Sequence, residues 1–101
     1  MNLFFVQYRE QTVVEFALKN RDLKFDLIFL DGGHSYLNAI NDIINMKRFA
    51  HMNTILIVDD LGYPEVRQAW NDCLKANLIT EGLIIQSKHK NWAQCRYIFN
   101  E

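Results

Sequence analysis

The sequence is poor in the residues that staple or interrupt a chain, with one proline, four glycines and two cysteines among 101 residues. Cys73 and Cys95 are far apart in apolar surroundings, and no CxxC or Cys/His ligand spacing occurs, which excludes a disulfide framework and a zinc ribbon. The two thiols are expected to be buried and reduced, as in an intracellular protein. No Pro/Gly/Ser-rich tract, low-complexity stretch or internal repeat marks a domain boundary. Charge of one sign is also missing: 11 Lys+Arg stand against 12 Asp+Glu, for a net charge of -1. Scattered basic residues (Arg9, Arg21, Lys47, Arg48, Arg67, Lys88, Arg96) form no stripe to track a phosphate backbone, which argues against nucleic acid as a partner. The apolar start, Leu3, Phe4, Phe5 and Val6, has no basic segment before it and is too short for a signal peptide or a membrane span. The expectation is a soluble, cytoplasmic protein whose partner is a small molecule or another protein.

What is present is apolar: half of the residues are hydrophobic and 13% are aromatic. One compact domain of this size buries roughly 60 to 70% of the surface its unfolded chain exposes, enough for a core without metal or disulfide staples.

Leu3–Gln7 is a short β-favouring run, and Val13, Val14, Ala17 and Leu18 then recur at helical spacing. The run 25–30 is apolar on both alternating faces apart from Asp26, which suits a parallel strand covered on both sides, and Asp31, Gly32 and Gly33 end it. Ser35 stands where an N-cap belongs. Tyr36, Ala39, Ile40, Ile43, Ile44 and Lys47 follow a period near 3.6, with Lys47 and Arg48 expected in the last turn. A third unit begins with the β-branched run 54–58, ends at Asp59 and Asp60, and continues into a helix opened by Pro64 and carrying Val66, Ala69, Trp70, Cys73 and Leu74 on one face. Runs 83–87 and 92–99 then read as an antiparallel hairpin. The order βα-βα-βα-ββ predicts an α/β, Rossmann-like, mostly parallel sheet with helices on both faces.

Ligands of open α/β sheets bind beyond the carboxyl ends of the strands, where helix N-termini offer free N–H groups. Asp31, Asp59 and Asp60 stand at such ends. On neighbouring strands about 4.8 Å apart, their carboxylates would repel one another, and a hard divalent cation (Mg, Mn or Ca) at roughly 2.0 to 2.6 Å would relieve that. Each acid also has a plain structural reading: Asp31 caps a turn, and Asp59 and Asp60 cap the entry to the Pro64 helix. Both readings stand on the sequence alone. His34, within a loop's length of Asp31, is the candidate general base, fourth ligand or substrate contact. His51 reads as part of an αβ turn and His89 as an exposed hairpin tip. Tyr36, Tyr63 and Trp92 are candidates for the crevice mouth, and Trp70 for the core. Gly32 and Gly33 either permit a close approach or only make the turn.

The stretch 25–36 with its Asp31, Gly32, Gly33, His34, Ser35, Tyr36 turn, a helix, and then 54–58 with Asp59 and Asp60, resembles the class I S-adenosylmethionine-dependent methyltransferases. In particular it is similar to the O-methyltransferase-like group with a DG-x-HSY turn. The resemblance implies methyl transfer to an oxygen of a small-molecule acceptor, with S-adenosylmethionine as cofactor and Mg as assistant. It implies Asp31, Asp59 and Asp60 as metal ligands, His34 as base or substrate contact, and Asp31, Gly32 and Tyr36 as cofactor contacts.

The resemblance spans residues 1–101 as the family's third to seventh strands, so the chain is expected to be the C-terminal part of such a domain. No G-x-G motif, the family's cofactor loop, occurs in it. Without strands one and two, the strand at 25–30 would carry a bare apolar edge. Either Leu3–Gln7 shifts to pair with it, or two chains associate as a homodimer. A methyltransferase-like remnant acting as an interaction or oligomerisation module is the alternative function. A phosphoacceptor receiver domain also gathers three acids, but there the acidic pair precedes the single Asp, the reverse of the order here.

Overall fold

The structure, a computed structural model, describes residues 3–7, 22–88 and 90–99, the first group by its backbone alone. Its elements are strand β1 (Leu3–Gln7), β2 (Phe25–Asp31), helix α1 (Tyr36–Met46), a 3-10 turn (Lys47–Phe49), β3 (Ala50–Asp59), α2 (Pro64–Lys75), β4 (Leu83–Gln86) and β5 (Asn91–Cys95). The helix expected over residues 13–18 lies outside the described residues, as do Arg9 and His89.

The five strands form one sheet in the order β1-β2-β3-β5-β4. β1, β2 and β3 run parallel, and the β4/β5 hairpin is antiparallel, as the sequence predicts. β1 lies directly beside β2, with Phe5 opposite Phe29 and Gln7 opposite Asp31. β2 is thus paired on both sides within one chain.

Burial follows the alternation of the strands. Ile28 and Leu30 on β2, Leu56 and Val58 on β3, and Ala93 and Cys95 on β5 are buried on one face of the sheet. Both described helices pack there, α1 through Ala39, Ile43 and Met46, and α2 through Val66, Ala69, Trp70 and Cys73. Any cover of the other face, where Leu27, Phe29, Ile55, Ile57 and Trp92 are half-buried, lies outside the described residues. Trp70 is fully buried, as expected of a core residue.

The caps have local causes. Ser35 accepts a hydrogen bond from the Asn38 N–H, satisfying one of the free donors at the start of α1. Pro64 starts α2, where a missing N–H costs nothing. α2 ends in a Schellman motif: Asn77 takes a left-handed backbone (φ 58), and the Leu78 and Asn77 N–H groups close on the carbonyls of Cys73 and Leu74. Lys47 and Arg48 lie in the 3-10 turn rather than in the last turn of α1.

The larger departure from expectation is β3, which starts at Ala50 rather than at Thr54. Its first residues break alternation because the register slips between Phe25 and Leu27. Thr54 repairs the slip: its buried hydroxyl donates to the Phe25 carbonyl at 2.7 Å and accepts from the His51 N–H at 2.8 Å. His51 is therefore a strand residue and not a turn residue. Its Nε2 lies 2.7 Å from Asp26 Oδ1, a cross-strand pair. Both cysteines are free and buried, and burial raises their thiols, Cys73 to about 11 and Cys95 to about 12. Among the described residues no helix is long and apolar enough to cross a membrane.

Candidate functional site

Parallel pairing of β2 and β3, with Leu30 opposite Val58, brings the carboxyl ends of the two strands to one rim. Asp31 closes β2 and Asp59 closes β3, each continuing the half-buried face of its strand. Asp60 follows with φ 63, a left-handed conformation that Asp tolerates better than most residues. That turn in the backbone lets its carboxylate double back toward the other two. One ligand oxygen from each of Asp31, Asp59 and Asp60 lies within 4.8 Å of the others.

The cluster carries electrostatic strain. The Asp31 carboxyl sits above its ordinary value, first because burial disfavours the charge and then because Asp59 and Asp60 repel it and Asp60 hydrogen-bonds its neutral form; Lys90 pulls the other way. Asp59 is the most enclosed of the three, with a side chain 4% exposed. Its Oδ1 accepts the Asp60 N–H at 2.8 Å and its Oδ2 accepts from the Lys90 ammonium at 3.0 Å.

His34 completes the rim. Its Nε2 is 3.0 Å from Asp60 Oδ2, and its ring stacks on Tyr63 with centroids 3.7 Å apart. A carboxylate only accepts, so Nε2 carries the proton in this pair, and in the neutral imidazole Nδ1 presents a lone pair. Asp60 thus fixes the tautomer of His34, and Tyr63 fixes the plane of its ring.

Two spaces adjoin these residues. A cavity of about 20 Å³, room for one water, is lined by Gly32, His34, Asp42, Asp59 and Asp60 among others. A groove of about 290 Å³ runs over Phe29, Ile57 and Trp92 to Asp59 and Lys90. Asp59 belongs to both, and so joins an apolar groove to the acids.

Tyr36 sits elsewhere. Its hydroxyl donates to Asp72 Oδ2 at 2.6 Å and its N–H to Glu65 Oε1 at 3.0 Å, which ties α1 to α2. Gly32 and Gly33 do not take a positive φ. Gly32 instead permits a close approach, since a Cβ there would come within 2.8 Å of Asp42 Oδ2.

Residues 4–61, more than half of the chain, match the model of a methyltransferase domain family. The chain belongs to the methyltransferase domain family. No functionally curated protein matches its sequence. Among solved structures it is similar in fold to CalS11, a TDP-rhamnose 3'-O-methyltransferase of calicheamicin biosynthesis (TM-score 0.61, 13% identity, 83% of this chain and 37% of that one). It is also similar to a ribosomal protein L11 methylase from Lactobacillus delbrueckii subsp. bulgaricus (TM-score 0.56, 13% identity, 95% of this chain and 57% of that one). A third is the Methanococcus jannaschii fibrillarin pre-rRNA processing protein (TM-score 0.52, 13% identity, 93% and 55%). The chain thus spans between about a third and three-fifths of the length of these structures.

Within this methyltransferase-family chain, the strand-end acids and His34 come together, while Tyr36 does not join them. Sequence reasoning missed two residues of the rim, Lys90 and Asp42. Lys90 reads as a solvated hairpin charge, and only the pairing of β3 with β5, with Asp59 opposite Trp92, brings it to the cluster. Asp42 reads as a polar position of α1, yet burial pushes its carboxyl up to about 6.

Proposed function

We propose that the chain supplies the acceptor side of an S-adenosylmethionine-dependent methyltransferase site, which transfers a methyl group to an oxygen of a small molecule with a divalent cation on Asp31, Asp59 and Asp60. The observation that carries this reading is the convergence of the three carboxylates at the carboxyl ends of adjacent parallel strands.

The donor set fits a hard cation. All three groups offer oxygen, which suits Mg, Mn or Ca rather than Zn. One oxygen from each lies within 4.8 Å of the others, close enough for all three to reach a single ion at roughly 2.0 to 2.6 Å. Toward the nucleoside cofactor the fit is partial. Asp31 and Gly32 stand at the rim, but the Tyr36 hydroxyl is taken by Asp72 and the sequence holds no G-x-G turn. S-adenosylmethionine would supply the methyl group, and the cation Lewis acidity at the acceptor oxygen.

The chain's own residues account for the remaining work. Phe29, Ile57 and Trp92 give the acceptor's apolar body a surface, and Asp59 marks the end of the groove where its hydroxyl meets the acids. His34 lines the small cavity on the other side of Asp59 and Asp60 rather than the groove, and its Nε2–H on Asp60 orients the ring as a carboxylate orients a general base; it is the candidate proton acceptor for a hydroxyl that reaches that cavity.

The test uses the longest natural protein that contains this chain. Labelled methyl groups from S-adenosylmethionine should appear on hydroxylated small molecules, and chelation of divalent cations or Asp31→Asn should suppress transfer. Absence of both transfer and cofactor binding would leave the second reading, an interaction module with a methyltransferase fold.

A further inference from the structure

We propose that Lys90 is a built-in counter-cation of the acid cluster, which competes with a divalent ion for Asp59 and so sets how tightly the site binds metal. This rests on the metal reading above and adds to it a residue that controls occupancy.

The pair is asymmetric in a way that suits displacement. Asp59 is fixed at a strand end with its side chain 4% exposed, whereas the Lys90 side chain is 60% exposed. A buried carboxylate needs a partner, and an ammonium on a flexible four-carbon stem can leave at small cost. The backbone beneath it is held. The Ser87 N–H donates to the Lys90 carbonyl at 2.8 Å, and the Lys90 N–H donates to Ser87 Oγ at 3.0 Å. Exchange is therefore a motion of one side chain and leaves the hairpin in place.

Lys90 acts on the whole cluster. Its ammonium lies 3.0 Å from Asp59, whose carboxylate offers an oxygen within 4.8 Å of those of Asp31 and Asp60. A divalent ion held by the three carboxylates would share Asp59 with this ammonium, and the two like charges would repel. Asp59 Oδ1 accepts the Asp60 N–H and Oδ2 accepts from Lys90, so an ion joining Asp59 to the other two acids meets a carboxylate whose two oxygens both already have a partner. Lys90 thus fills the cluster's electrostatic need at low cation concentration and yields at high concentration.

Lys90→Met keeps the stem and removes the charge. Calorimetric titration of the chain with Mn2+ alone should give Lys90→Met an affinity at least about tenfold above wild type, while Lys90→Arg stays near wild type. Without added metal, Lys90→Met should melt at a lower temperature than wild type, and Mn2+ should restore it. Equal affinities in wild type and Lys90→Met, both abolished by Asp31→Asn, would overturn the role of Lys90 and leave the metal site standing. No Mn2+ binding by either protein would overturn both.

Discussion

Asp42 offers the most quantitative perturbation. Its carboxyl lies over Gly32, at a point that any Cβ would crowd, and burial pushes it from an ordinary value near 3.8 up to about 6. A folded value above the unfolded one means that the protonated form suits the native state. The associated stability is fully present below about pH 4 and is lost as pH rises through about 6. At about 1.4 kcal/mol per unit, the shift corresponds to about 3 kcal/mol of cost at neutral pH. The carboxyl is partly open to solvent, which screens the charge and reduces this to about 1 to 2 kcal/mol. Asp42→Asn keeps the shape and cannot ionise. It should be more stable than wild type by that amount at about pH 7 and equal to it near pH 3.5, with the gap opening through the interval between. Urea unfolding followed by tryptophan fluorescence reads this directly, because Trp70 is 1% exposed in the native state. A gap that stays constant with pH, or a variant less stable than wild type at neutral pH, would refute the burial argument.

Three further outcomes follow from single contacts. His34→Ala should lower the methyl-transfer rate by roughly 10²- to 10⁴-fold at a stability cost of about 1 kcal/mol, since the half-exposed ring loses its stack on Tyr63 and its bond to Asp60, too little to account for the lost rate. Ser35→Ala should cost about 1 kcal/mol in chemical denaturation through loss of the α1 cap to the Asn38 N–H. Gly82→Ala should destabilise by at least about 2 kcal/mol, because a Cβ there would overlap the Gln94 carbonyl on β5, and hydrogen exchange should rise selectively across the β4/β5 hairpin.

The parts of this account that were legible in the sequence are those where local chemistry and fold agree. The apolar run 25–30 needed two covered edges, and β1 and β3 supply them. Ser35 and Pro64 announced helix starts because both act within one turn. Asp31, Asp59 and Asp60 were readable as a cluster since strand ends of parallel neighbours share a rim. What escaped depends on distant partners. The start of β3 has no clean alternation, and its pairing depends on Thr54 reaching Phe25 across the sheet. His51 became a strand residue for the same reason. Tyr36 at a helix start looked free to face a ligand, but α1 packs against α2 so that Asp72 claims its hydroxyl. Lys90 and Asp42 carry no sequence mark of burial or contact, because each owes its role to a neighbour many residues away.

The central claim is that the acids at the ends of β2 and β3 hold one hard cation. Paramagnetic resonance of Mn2+ titrated into the chain at concentrations up to roughly 10 mM addresses it without reference to any substrate. One bound ion per wild-type chain is predicted, displaced by Mg2+ and weakened at least about tenfold by Asp31→Asn. Free Mn2+ signal throughout, or binding that Asp31→Asn leaves untouched, would contradict it.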